Sequence, residues 1–349
     1  MRYRTLGKTG MEVSAHCLGA MMFGAVGNPD HDDCVRIIHS ALDQGINFVD
    51  TADMYSTGES EEIVGKALQG RRDDVILATK VHFPLEEGPN KGGNSRRWIV
   101  HEVEQSLRRL QTDWIDLYQV HRPDETTDIE ETLSVLTDLV RQGKIRAFGC
   151  STFPPEEIVE SHVVAERRGL HRFRTEQPPY SILARGVERS VLPTAQRYGM
   201  GVLTWSPLAF GFLTGRYRKG QDLDLTSGRP LIRPERFDPS LPETAAKLEI
   251  VEQLIEVADD LGCSLPELAI AFVIAHPAVT SVILGPRTQE QFDGLNKGAG
   301  LTLDDATLDR IDEIVPPGTD IYPPNGPWPQ PSLVNVVRRR RPLTERAAA

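Results

Sequence analysis

A (β/α)₈ TIM barrel with an extra C-terminal helix and a long loop after strand 7 is the fold this sequence predicts, on three observations. Apolar, β-branched runs end near Gly19, Asp50, Lys80, His121, Ser151, Gln177, Trp205 and Gly285. The steps between these ends are 31, 30, 41, 30, 26, 28 and 80 residues, and most suit one strand–helix unit. Amphipathic segments fill the gaps, so strands alternate with helices and the sheet is parallel. The third observation is a missing fingerprint. A doubly wound sheet wants G-x-G-x-x-G after its first strand, and residues 18–24 read LGAMMFG. Eight strands then close into a barrel.

Taken in order, the helix patterns cover residues 30–44, 59–69, 97–110, 128–142, 154–168 and 189–198. Three more, at 244–261, 266–275 and 288–297, flank the last strand. The 80-residue step after Trp205 is too long for one unit. Within it, residues 218–240 are polar and rich in glycine and proline, a long loop on the face where barrel active sites sit. It is expected to act as a substrate or cofactor lid. Residues 302–315 carry a cap-like Thr302-x-x-Asp305 and apolar Leu303, Leu308, Ile311 and Val315, which predict the extra helix. From Pro316 the chain is proline-rich and holds Arg338–Arg341. The reading is therefore a barrel over residues 1–315 and a disordered tail over 316–349.

Composition removes several function classes. With 39% hydrophobic and 26% charged residues among 349, the chain can bury a large core and stay soluble. A net charge of −11 argues against a nucleic-acid partner, which needs a basic footprint. There is no apolar run of about eighteen residues, so no membrane span is expected. The opening residues lack the apolar stretch of a secretory signal. Cys17, Cys34, Cys150 and Cys263 are scattered, as reduced cytoplasmic thiols are.

Polar residues at the C-terminal ends of barrel strands meet in one place. Here those ends supply Asp50, Lys80 and His121, with Tyr55 five residues past Asp50. A free tyrosine titrates near pH 10 and is alone a poor proton donor at neutral pH. A neighbouring lysine favours the phenolate, and a carboxylate keeps that lysine charged. A neutral histidine can donate to an oxygen on which negative charge develops. These are the parts for adding hydride to a carbonyl and protonating the oxygen. No side chain supplies hydride, so a nicotinamide is implied. Singly, each residue has an ordinary structural explanation: a turn aspartate, a rim aromatic, a solvated strand end, a satisfied histidine. Together they complement one another.

The segments 45–68 (GINFVDTADMYSTGESEEIVGKAL), 78–80 (ATK) and 117–121 (LYQVH) resemble the aldo-keto reductases, in the bacterial branch that also resembles potassium-channel β subunits. The resemblance runs from about residue 4 to 315. It implies Asp50, Tyr55, Lys80 and His121 as the catalytic tetrad and NADPH as cofactor. The channel-subunit branch often has asparagine in place of His121, so this chain resembles the working enzymes. Gly19, Ala20 and Met21 would line the cofactor site, with Ser151, Thr152 and Gln177 facing the nicotinamide carboxamide. Trp205 would stack on the nicotinamide ring. Residues 205–217 (WSPLAFGFLTGRY) resemble the pyrophosphate-side segment, with Ser206, Pro207, Leu208 and Arg216 as contacts. Gly285, Pro286, Arg287 and Thr288, opening a helix, would hold the adenosine 2′-phosphate, and Gln291 would lie on the adenosine side. Gly294 and Leu295 depart from the family, which has an acidic residue and an asparagine there.

Two other readings compete. One is a redox-sensing regulatory subunit that binds NADPH with little turnover. The other is a metal-dependent barrel hydrolase, which would need clustered ligands such as H-x-H. The nine histidines contain no such pair, and no metal site is expected. The partner is expected to be a small-molecule carbonyl compound. The sequence carries no signal for its identity or for oligomeric state.

Overall fold

The computed structural model describes residues 1–223, 226, 230 and 233–323. Two short strands come first, β1 (Tyr3–Thr5) and β2 (Glu12–Ser14), paired antiparallel with Tyr3 opposite Ser14. The barrel strands are β3 (His16–Gly19), β4 (Phe48–Asp50), β5 (Ile76–Val81), β6 (Ile115–Val120), β7 (Ile145–Cys150), β8 (Thr175–Glu176), β9 (Gly201–Thr204) and β10 (Ser281–Leu284). They close in the order β10-β3-β4-β5-β6-β7-β8-β9, and every pairing is parallel. All eight predicted strand ends fall within one residue of the observed ones.

The helices are α1 (His31–Asp43), α2 (Glu59–Ala67), α3 (Arg96–Leu110), α4 (Ile129–Arg141), α5 (Pro155–Arg168), α6 (Val191–Tyr198), α7 (Pro242–Asp260), α8 (Leu265–Ala275), α9 (Gln289–Asn296) and α10 (Asp305–Ile314). Side chains of Asp30, Ser95, Asp128, Ser264 and Thr288 accept backbone N–H bonds at their helix starts, as good N-caps do. One cap differs from the sequence reading. Asp304, not Thr302, caps α10 and accepts from Thr307 N at 2.9 Å. Thr302 instead accepts from the Arg2 guanidinium at 2.6 Å, which ties α10 to the N-terminal hairpin.

Two apolar layers hold the barrel. The outer one packs strands against helices and includes Val49, Leu77, Tyr118 and Phe148. The inner one fills the lumen with Cys17, Phe48, Ala78, Leu117, Ala147, Leu203 and Ile283, and Leu6 of the hairpin loop and Val13 of β2 close its lower end. Strand side chains alternate between these layers. Two residues up from the lumen set lie Gly19, Asp50, Lys80, Gln119, Gly149, Trp205 and Gly285, so the same alternation aims the polar set inward. Glycine is required at two of these positions. A Cβ on Gly149 would lie 1.9 Å from Thr175 Oγ1, and one on Gly19 would lie 2.5 Å from Ile283 Cγ2. Larger residues there would force neighbouring strands apart.

The long loop after β9 is anchored at both described ends. Arg218 pairs with Glu252 on α7, and Phe237 is fully buried, stacked on Phe212 at 4.8 Å. Residues 224–225, 227–229 and 231–232, where much of the expected lid falls, lie outside the described residues. So do residues 324–349 of the expected tail. Just before them the chain follows the loop after β8. Arg185 N donates to Thr319 O at 2.9 Å, Gly186 N to Asp320 Oδ1 at 2.8 Å, and Ile321 N to Leu183 O at 3.1 Å.

Candidate active site

The polar set gathers at the C-terminal end of the barrel around one buried ion pair. Lys80 is fully buried, and its Nζ donates to Asp50 Oδ1 at 2.5 Å, Thr51 O at 2.8 Å and Tyr55 Oη at 3.3 Å. Burial alone would lower the Lys80 pKa, but the charge of Asp50 and the phenol of Tyr55 outweigh it and raise the value. The ammonium therefore stays charged and points at the phenol oxygen. The second oxygen of Asp50 accepts from Gln177 Nε2 at 2.9 Å and from Gln119 Nε2 at 3.1 Å.

His121 stands edge-on to Tyr55, with ring centroids 5.9 Å apart, and edge-on to Phe83 at 5.0 Å. Burial holds its pKa far below the ordinary 6.5, and the positive charges of Lys80 and Arg122 push the same way. The imidazole is neutral at physiological pH, the state that can offer one N–H to a substrate oxygen. Its Nδ1 is buried and has no hydrogen-bond partner among the described residues.

Local strain fixes the tyrosine. Tyr55 opens a tight turn in which Ser56 (φ 48°) and Thr57 (φ 57°) are left-handed. Ser56 Oγ donates to Phe23 O at 3.2 Å, and Glu59 accepts from Ala25 N at 2.7 Å, clasping this turn to the loop after β3. Thr152, Ser206, Ala209 and Phe210 are also left-handed. Strained backbone thus gathers in the loops after β4, β7 and β9, around the mouth.

The remaining sequence-predicted residues lie around and outside this set. Ser151, Thr152 and Gln177 are buried together beside Asp50, and Ser151 Oγ donates to Gln177 O at 2.9 Å. Gly19 and Ala20 are buried and Met21 is half-buried, with Ala20 N donating to Asp50 O at 2.8 Å. Trp205 is half-buried at the end of β9, edge-on to Phe210. Ser206 and Leu208 are half-buried in the next turn and Pro207 is buried. Further out, the exposed Arg216 lays its guanidinium over the Tyr217 ring at 5.7 Å. Gly285 and Arg287 are exposed beside the start of α9. Arg287 N donates to Gln291 Oε1 at 2.9 Å, and Arg287 O accepts from Asn28 Nδ2 at 3.0 Å, so this corner is backbone-locked while the guanidinium is exposed. At the departing positions, Gly294 has open space beside it and Leu295 packs on the core.

Sequence reasoning passed over several neighbours. Gln119 bonds Asp50, and Arg122 donates to His121 O at 2.5 Å. Glu176 is fully buried, accepts from Phe153 N at 3.2 Å, and is pushed up to about 7 by burial. A signal for Gln119 was present, since a polar residue two before His121 on a strand shares its inward face. Among the described residues no group of three or more His, Cys, Asp or Glu side chains could hold a metal ion. Nor is any described helix long and apolar enough to cross a membrane.

A parallel eight-stranded barrel with a buried lysine joining a carboxylate to a tyrosine at its mouth defines an oxidoreductase class. The chain belongs to the aldo/keto reductase family, whose model matches residues 16–316. It is 39% identical to the Uncharacterized oxidoreductase YrpG of Bacillus subtilis, over 90% of this chain and 96% of that protein. The Aldo-keto reductase YhdN of the same organism is 38% identical, over 90% and 94%. A Probable voltage-gated potassium channel subunit beta of Arabidopsis thaliana is 35% identical, over 90% and 97%.

Proposed function

We propose that this protein reduces an aldehyde or ketone to an alcohol using NADPH, with Tyr55 as the proton donor. The observation that carries this reading is the Lys80 ammonium, buried between Asp50 Oδ1 and Tyr55 Oη beside a neutral His121. His121 orients the carbonyl oxygen and stabilises the negative charge that develops there. Tyr55 then delivers its proton to that oxygen, and Lys80, held by Asp50, stabilises the phenolate left behind.

The residues at hand fit a nicotinamide cofactor. Bound NADPH supplies the hydride. Ser151, Thr152 and Gln177 offer hydroxyl and amide groups suited to a carboxamide, and Trp205 a flat apolar face. The N-terminus of α9, capped by Thr288 and flanked by Arg287, suits an anionic phosphate ester and supports NADPH over NADH. The four cysteines are free thiols, in keeping with a cytoplasmic enzyme. Chain organisation is part of the same reading, with the reductase barrel in residues 1–315 and a tail beyond, whose first residues run along the loop after β8.

The similarity to potassium-channel β subunits supports a second reading, an NADPH-binding redox-sensing subunit with little turnover. Loss of NADPH absorbance on a panel of aldehydes, quinones, sugar derivatives and polyketide ketones separates the two. Steady turnover on any class supports the reductase. Tight NADPH binding with no turnover across the panel supports the sensor.

A further inference from the structure

We propose that Gln119 is a positioning residue for this reaction: its amide nitrogen fixes the second oxygen of Asp50 and so holds Lys80 on Tyr55. The inference rests on the reductase reading above. Gln119 lies on β6, fully buried, two residues below His121 on the inward face. Its Nε2 donates to Asp50 Oδ2 at 3.1 Å, and its Oε1 accepts from Gln177 Nε2 at 3.3 Å. Gln177 Nε2 in turn reaches Asp50 Oδ2 at 2.9 Å.

Asp50 on β4 is therefore gripped from three other places around the barrel: by Lys80 on β5, Gln119 on β6 and Gln177 just past β8. A carboxylate with one oxygen on a lysine can still pivot about its side-chain bonds. Two amide donors on the other oxygen remove that freedom, because both bonds must break before the carboxylate can turn. Gln119 also closes the triangle, fixing the Gln177 amide so that its nitrogen faces Asp50. Since Gln177 O accepts from Ser151 Oγ, the triangle joins the Ser151 side of the mouth to the lysine. The other titratable groups near the pair are His121, kept neutral chiefly by burial, and Cys17 on β3, a thiol held protonated by burial and by the charge of Asp50.

Two substitutions test this, each in the full chain. Gln119→Leu removes the donor and keeps a lumen-compatible shape. It should lower kcat by about tenfold or more, as small misplacements of reacting groups do, and leave NADPH affinity within about twofold. Gln119→Glu should behave as a switch. Protonated, the new carboxyl can donate to Asp50 as the amide did; ionised, it faces Asp50 with like charge. Its turnover relative to wild type should be highest at acid pH and fall as pH rises, a profile that a packing defect does not produce. Unchanged kcat in Gln119→Leu, an equal loss of NADPH affinity, or a loss in Gln119→Glu that is the same at every pH would overturn the proposal. Failure of the functional reading is separable, because it appears in the wild type as no turnover on the carbonyl panel.

Discussion

Replacing Lys80 with methionine probes the buried ion pair on which the site is built. Methionine is unbranched and apolar like the lysine stem, so packing changes little. What changes is the fate of Asp50, only 2% exposed, which loses its cationic partner. Breaking one side of a buried pair costs about 3–5 kcal/mol, because the remaining charge is stranded. The bonds from Gln119 and Gln177 remain on Oδ2 and place the expected cost near the lower end, about 3 kcal/mol. Thr51 O also loses a donor, which adds about 1 kcal/mol. The double variant Asp50→Asn with Lys80→Met removes the stranded charge and should recover at least about 2 kcal/mol relative to Lys80→Met alone. Urea unfolding, followed by tryptophan fluorescence and far-ultraviolet circular dichroism, measures all of these. A cost below about 1 kcal/mol for Lys80→Met, or a double variant that loses the sum of the two single losses, would refute the reasoning.

Arg287→Ala should weaken NADPH roughly 10- to 100-fold and leave NADH nearly unchanged, the scale of one charge-assisted contact, and equal losses in titrations of both cofactors would remove Arg287 from phosphate recognition. His162 is buried, and that burial, with Arg172 and Arg174, lowers its pKa to about 4. The unfolded chain takes up this proton near pH 6.5 and the folded one near 4, so this contribution to stability is intact above 6.5 and lost as pH falls toward 4. Across that window the wild type should lose about 3 kcal/mol more than His162→Asn in urea unfolding, and identical pH slopes would show that the histidine titrates normally.

The barrel was legible because parallel strands are buried on both faces and read as near-continuous apolar runs, all but the Trp205 run stopped by a polar residue or glycine. The stop is also the site. Asp50, Lys80, His121, Ser151 and Gln177 are each marked in the sequence as the residue that ends an apolar run. Other features left weaker traces. The β1–β2 hairpin is three residues a side, too short for a periodic signal, although it closes the lumen with Leu6 and Val13. Thr302, Asp304 and Asp305 all have N-cap chemistry, and only the fold chooses Asp304. The ion network of Arg109 with Glu61 and Glu102 joins α3 to α2 behind the site, a pairing across 48 residues that no local pattern announces. Asp53, two residues before Tyr55, looks like a loop acid, yet it is buried and its pKa is raised by that burial and by Glu61 and Glu102. Gln119 was hidden by its chemistry, since a neutral amide within a strand suggests no reaction until the carboxylate it holds is seen.

The most direct test of the central claim is Tyr55→Phe, which removes one hydroxyl from a half-buried ring and leaves the Asp50–Lys80 pair in place. NADPH binding, read by fluorescence, should be preserved, because the groups assigned to the cofactor lie on other strands. Reduction of a carbonyl that the wild type accepts should slow by at least about a hundredfold, the lower scale of general acid catalysis. Normal NADPH binding with near-normal reduction in Tyr55→Phe would contradict the account and move the proton donor to His121 or a bound water.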